Sequence, residues 1–500
     1  MRKLLSIIGA GVVLSVPYVS LAADPLSVVE AVKAGDLPSL LKNPNQTEPD
    51  GTTPLHWAVE QNRLDVVKAL LAGGANVNAK NRYGVTPLEL AATTGSAPVT
   101  QALLKAGADV KVFAPETASV LSRAARTGNP EVIKLLLVAG ADANYAESTS
   151  GQTPLMWAAA EGHSDAVKAL LDGGAKVATK GRTEQTALFY AVRKGDIDSV
   201  KTLLAAGADV NTRTAPEMPG GRGGGQRRAP SGAKFSPYGD SMMVVAILNN
   251  NFDIADLLLN KGADANAAGT HWTPLHSLLR IRNYEEFQFP APKGTGTLDS
   301  LEFAKHLLAH GANPSARAES HTMRRAGGDQ NYDEFEGATP FFLAAKAGDL
   351  PMIHLLLDAK ADYTTPTELH TTPLMVASGV GCVTGQWIEP ESDILATVKI
   401  LVDELKADVN VRNDKNETAL HGAACRAMDS VVQYLADKGA KLDVRNSDNQ
   451  RALDIVVDGI AKPVTIGGVP IEKIGYSDHT AALLKKLMAE KGYSIQASLQ

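Results

Sequence analysis

Aromatic side chains make up only 5% of the 500 residues, and cysteine occurs twice, at Cys382 and Cys425. Two cysteines exclude a disulfide framework and a cysteine-built zinc site. With aromatics scarce, alanine and leucine carry much of the apolar content. That content, 44%, excludes a disordered or fibrous chain. An excess of positive charge is also missing. The formal net charge is −6, so general attraction to nucleic acid or to an anionic membrane is not expected. Past the first two dozen residues no apolar run is long enough to cross a bilayer. The chain also lacks the phosphate-binding Gly-x-x-x-x-Gly-Lys loop, a strand-led Gly-x-Gly-x-x-Gly, Cys-x-x-Cys, His-Glu-x-x-His and the Gly-x-Ser-x-Gly elbow. No enzyme is expected, and no cofactor.

The N-terminus reads as an export signal. Arg2 and Lys3 precede the apolar stretch from Leu4 to Val19, and Ser20, Leu21, Ala22 and Ala23 supply a small-residue cleavage site after Ala22. Gly9, Gly11 and Pro17 interrupt the stretch, which makes an uncleaved anchor the weaker alternative. The expectation is a leader over residues 1–22 and an exported protein, periplasmic or secreted.

A period of about 33 residues runs through the remainder. The string Gly51, Thr52, Thr53, Pro54, Leu55, His56 returns at 84–88, 151–155, 272–276, 337–341, 371–374 and 417–421. Numbered by their leucine-type anchors, the units fall at 55, 88, 121, 155, 188, 243, 275, 341, 374, 420 and 453, here units 1 to 11. A second string, Gly-Ala-Asn/Asp followed by an apolar residue and often Asn, recurs at 74–78, 107–110, 140–144, 207–211 and 262–266. Thr53 suits an N-cap and Pro54 the first helical position, where no N–H is needed. Leu55, Ala58 and Val59 form the stripe of a short helix. A second helix is expected over 64–71 with Val67, Leu70 and Leu71 inward, ended by Gly73 or Gly74. One such unit cannot bury its own apolar side, so the units must stack.

These two recurring strings resemble those of ankyrin-repeat proteins, over about residues 51–458. The resemblance implies an all-α solenoid of stacked helix-turn-helix units with short β-hairpin fingers, and a role in binding other proteins. The expected order is an N-terminal capping unit at 23–50, repeats at 51–214, a flexible Gly/Arg/Pro-rich insert at 215–238, repeats at 239–458 and a C-terminal capping region at 459–500. Further inserts fall at 283–297, 316–336 and 383–393. The unit at 117–150 lacks Thr-Pro and the one at 239–271 has Ser241, Met242 and Met243, so looser packing is expected at both.

In such a solenoid the concave face comprises finger tips and the exposed side of each first helix, five and six residues past the anchor. Those positions give Glu60, Gln61, Arg126, Glu161, Arg193, Lys194, Lys346 and Arg426, with Arg82 and Tyr83 at a tip. The row is basic near its middle although the molecule is acidic, which points to a protein partner with an acidic patch. A nucleic-acid partner is not expected, and a monomer is. His56, His276 and His421 share one repeat position and read as scaffold. His306 and His310, four apart, could share a metal only with a third ligand. Export leaves a Cys382–Cys425 disulfide open, with two isolated thiols as the alternative. Two other functions stay open: an envelope spacer without a specific partner, and a metal or enzyme site in which Asp329, Asp333, Glu334 and Glu336 converge with His321.

Overall fold

The computed structural model describes residues 28–111, 118–213, 240–269, 272–283, 294, 296–318, 336–381, 390–458, 464–466, 469–471 and 477–495. The leader, the Gly/Arg insert, Cys382, and His321 with Asp329, Asp333 and Glu334 lie outside the described residues, whereas Glu336 is described and its carbonyl accepts from the Glu368 N–H.

The threonine–proline pairs start helices in the manner their chemistry suggests. Thr53 has extended backbone, its hydroxyl accepts from the His56 N–H, and Pro54 opens the helix Pro54–Glu60. The second helix of unit 1, Leu64–Ala72, buries Val66, Val67 and Leu70 completely, with Leu71 only half-buried. Gly74, at φ +83°, is the left-handed residue that follows. Helix pairs of this kind run from Val28–Ala34 with Leu37–Lys42 to Ala452–Asp458 with Asp478–Glu490. First helices pack on first helices and second on second, and one apolar core extends from Val28 to Met488. The architecture is an all-α solenoid.

Units 3 and 6 are not looser. Ser119 and Ser241 replace the capping threonine, each accepting the N–H three residues on. Val120, Leu121, Met242 and Met243 are no more than 1% exposed. A serine hydroxyl caps as well as a threonine, and the flexible methionines fill the space the usual pair would take.

The fingers are tighter than strands. In one, Asn81 N–H bonds Val85 O and Gly84 N–H bonds Asn81 O, closing a turn with no ladder beyond it. Successive fingers are stitched by single backbone bonds: Arg82 N–H to Asp50 O, Arg182 N–H to Ser150 O, Asp414 N–H to Leu369 O and Ser447 N–H to Lys415 O. The two strands among the described residues, β1 (Val464–Ile466) and β2 (Val469–Ile471), pair antiparallel and lie in the C-terminal region instead.

Asparagines hold neighbouring units in register. Asn78 donates to Gly107 O and accepts from Asp109 N–H, and Asn144 treats Gly174 and Lys176 the same way. Asn211 reaches across the Gly/Arg insert to Gly262 O and Asp264 N–H, and Asn266 spans the 283–297 insert to Gly311 O and Asn313 N–H. The inserts therefore leave the stack continuous. Unit 9 has one extra residue in its second helix, absorbed by a π-turn over Ile400–Glu404. Ala407 N–H bonds Leu401 O, six back, where unit 1 bonds five back from Ala75 to Leu70. Asn410 thereby still reaches Gly439 O and Lys441 N–H.

Asn144→Ala removes both of its bonds at one inter-unit step. It should lower stability by about 1–2 kcal/mol, read as a fall in the urea midpoint. An unchanged midpoint would show that apolar stacking alone sets the register.

Candidate functional site

In units 4 and 5 an aromatic side chain of the first helix is hydrogen-bonded to adjoining finger residues. Trp157, on Pro154–Glu161, donates its indole N–H to Glu147 Oε1 at 2.8 Å, and Glu147 belongs to the finger before it. Ser150 donates to the other oxygen of Glu147, and the Glu147–Gln152 backbone bond closes that finger. Tyr190, on Ala187–Lys194, accepts from Gln152 Nε2 and donates to Gln185 Oε1, both at 2.9 Å. Burial raises the Tyr190 pKa, opposed by the Gln152 bond and by the charge of Arg193. The two half-buried rings tie their first helices to the fingers on the side that the resemblance assigns to the concave face, the groove of units 3 to 5. Both sit two residues past their anchors, as Trp57 does in unit 1. An aromatic two residues past the anchor is the sequence signal that marks them.

The cations of the central units lie beside these rings. The Arg126 guanidinium sits 4.5 Å from the Trp157 ring centroid, and the Arg126 carbonyl is bonded by His163 Nε2 at 3.0 Å. Lys194 lays its stem along Gly162, where a Cβ would stand 3.2 Å from the Lys194 Cγ and Cε atoms. Gly162 also has φ +79°, so close approach and left-handed backbone both select glycine there. Arg126, Glu161 and Lys194 are exposed and Arg193 is half-buried. Among the described residues none of the four is in an ion pair.

The other expected positions are more scattered. Glu60 is exposed, and Gln61 caps its helix through a backbone N–H to Trp57 O. At the finger tip Arg82 donates to the Tyr83 hydroxyl at 2.5 Å and stands 4.7 Å from its ring centroid, with Tyr83 61% exposed. Lys346 is half-buried. Arg426 is also half-buried, its stem folded against Gly379, so it departs from the open cationic row. Cys425 is disulfide-bonded, while Cys382 lies outside the described residues.

The histidines divide by role. His56, His276 and His421 accept at Nδ1 from Thr53, Thr273 and Thr418, and their Nε2 atoms face Val85 O, Ala338 O and Gln450 O of the following unit. Facing a carbonyl, Nε2 carries the proton, and each ring ties a helix cap to its neighbour. His306 instead pairs with Asp256 at 2.8 Å and His310 with the His306 carbonyl, so the two rings serve different partners. Among the described residues no three His, Cys, Asp or Glu side chains are placed to hold a metal ion. A cavity of about 380 Å³ lies beside Arg282, Ser300 and Asp349. Its arginine is engaged by both Asp349 oxygens and by Ser300.

Burial lowers the pKa of His276 and of His421 to about 4. The unfolded chain takes up these protons near pH 6.5 and the folded chain only near 4, so stability falls as pH drops through that window. Each histidine accounts for about 3 kcal/mol at most. The thermal midpoint should therefore drop between pH 6.5 and 4, and a His276→Gln, His421→Gln double variant should show a flatter slope. An equal slope in the variant would assign the acid sensitivity to other groups.

Residues 28–114 and 121–214 match the family described as ankyrin repeats (3 copies), and 238–267 and 336–367 each match an ankyrin repeat. Alpha-latrocrustotoxin-Lt1a from Latrodectus tredecimguttatus is 30% identical over 118 residues, 24% of this chain and 7% of the toxin. The E3 ubiquitin-protein ligase KEG of Arabidopsis thaliana is 24% identical over 254 residues, 44% of this chain and 14% of the ligase. These matches span a small part of each relative's length. The human ASB11 ankyrin repeat domain, a solved structure, is 30% identical, with 38% of this chain and 87% of that domain covered at a TM-score of 0.35. Among the described residues no helix is long and apolar enough to cross a membrane. The repeating caps, the helix pairs and the family matches together show that this chain contains ankyrin repeats.

Proposed function

We propose that the chain is an exported, non-catalytic scaffold that binds a protein partner through its concave face and finger tips. Ankyrin repeats are generally modules of protein–protein interaction, and the matched repeats extend that general property to this chain. The observation that carries the reading is the groove of units 3 to 5. Its aromatic floor is fastened to the fingers by Glu147, Gln152 and Gln185, while the charges of Arg126, Glu161, Arg193 and Lys194 have no ion-pair partner among the described residues. Side chains already held in place lose little freedom when a partner binds, which favours affinity. The cations of the groove favour an acidic patch on the partner. The leader-like segment at 1–22 supports a periplasmic or secreted location, and the protein acts as a monomer.

The test is cross-linking in cells, followed by mass spectrometry, of the natural protein and of a variant with Arg126, Arg193 and Lys194 changed to Glu. Arg426 is omitted because reversing a half-buried side chain packed on Gly379 would disturb the fold. A partner captured by the natural protein and reduced at least tenfold in the variant supports the concave face. Equal capture by both proteins would move the binding surface elsewhere, and enrichment of no partner by either would favour a spacer.

A further inference from the structure

The groove carries an alternation of sign that a docked chain would have to match. At the ends of three consecutive first helices stand Arg126 in unit 3, Glu161 in unit 4, and Arg193 with Lys194 in unit 5. Three arginines elsewhere are committed within the scaffold: Arg63 holds Asp65 at 2.9 Å, Arg282 holds Asp349 at 2.6 Å and Arg451 holds Asp454 at 2.8 Å. The groove charges have no such partners among the described residues, yet two of them have fixed stems, Arg126 on Trp157 and Lys194 on Gly162.

We propose that this stretch recognises an extended protein segment whose charged residues run acidic, basic, acidic at three-residue intervals. The acids meet Arg126 and the Arg193–Lys194 pair, the base meets Glu161, and apolar side chains between them rest on Trp157 and Tyr190. The spacing follows from two lengths. Packed helices lie about 8–10 Å apart, and an extended segment in the polyproline II conformation advances about 3.1 Å per residue with three residues per turn, so one unit corresponds to three residues and the charged side chains share a face. A uniform polyanion such as a nucleic acid fits less well, because its charge would fall against Glu161 in a molecule of net charge −6. The inference rests on the concave-face reading above and adds the chemistry of the partner to it.

The test uses the full chain and two fluorescein-labelled eleven-residue peptides of identical composition. One carries Glu, Lys and Glu three residues apart, and the other carries them contiguously. Anisotropy titrations at 0.1 M salt should give the spaced peptide at least tenfold tighter binding. Glu161→Lys should abolish that preference and bind at least tenfold better a spaced peptide whose central Lys is Glu. Circular dichroism confirms that the variant, altered at an exposed position, is folded. Equal affinities for the first two peptides, or no exchange of preference in the variant, would overturn the charge pattern. If cross-links in cells still mapped to the groove in that event, only the pattern would fall. Loss of those cross-links as well would remove the concave-face reading with it.

Discussion

The apolar stripe of each helix pair can be covered only by the next pair, and this constraint governs the rest of the molecule. A unit contributes Leu55, Ala58, Val59, Val66, Val67 and Leu70, all fully buried, yet it has no second layer of its own. Stability therefore belongs to the interfaces, and whatever keeps units in register keeps the core closed. Two polar devices do so, one after the second helix of each unit and one at the start of the first. Asparagines link one turn to the next, and histidines join a helix cap to the neighbouring carbonyl. Both satisfy backbone groups that would otherwise stay unpaired where the units meet.

The same constraint explains how a chain with such long inserts remains one stack. An insert is tolerable wherever it leaves the flanking contacts in place. Asn211 still reaches the following unit 51 residues on, and Asn266 does so across 45. Where an extra residue falls inside a helix, at unit 9, the chain instead widens one turn, and Asn410 keeps its place in the series. Closing a longer loop costs only slowly more entropy, whereas a lost interface would expose apolar surface on two units.

The groove of units 3 to 5 is a by-product of that regular stacking, specialised by a few substitutions. A repeat places the same two positions of every first helix at the concave edge, so their side chains can vary without cost to the core. Units 4 and 5 use an adjacent position for Trp157 and Tyr190, whose polar atoms are anchored by finger residues. Rings tied at both ends make a stiff floor, and Arg126 stacked on Trp157 presents its charge from a fixed height.

Much of this was legible in the sequence because a repeat writes the same physics many times. Thr53 and Pro54 announce a helix start, and their return every 33 residues makes an isolated coincidence untenable. The role of His56, His276 and His421 followed from their shared position alone. Other features depended on what the chain places nearby. Ser119 and Ser241 looked like defects but cap as threonine does, since a hydroxyl is all the helix end requires. Arg426 and Lys194 occupy the same repeat position, yet one folds back half-buried on Gly379 and the other stays exposed over Gly162. Trp157 and Glu147 are ten residues apart in sequence and meet only because a finger turns back on its helix. The sequence by itself determined the unit, its caps and its stacking, because these depend on local spacing and on burial that recurs in every repeat. Which charges remain unpaired was decided by the tertiary structure, because pairing depends on distances between units that no spacing along one unit specifies.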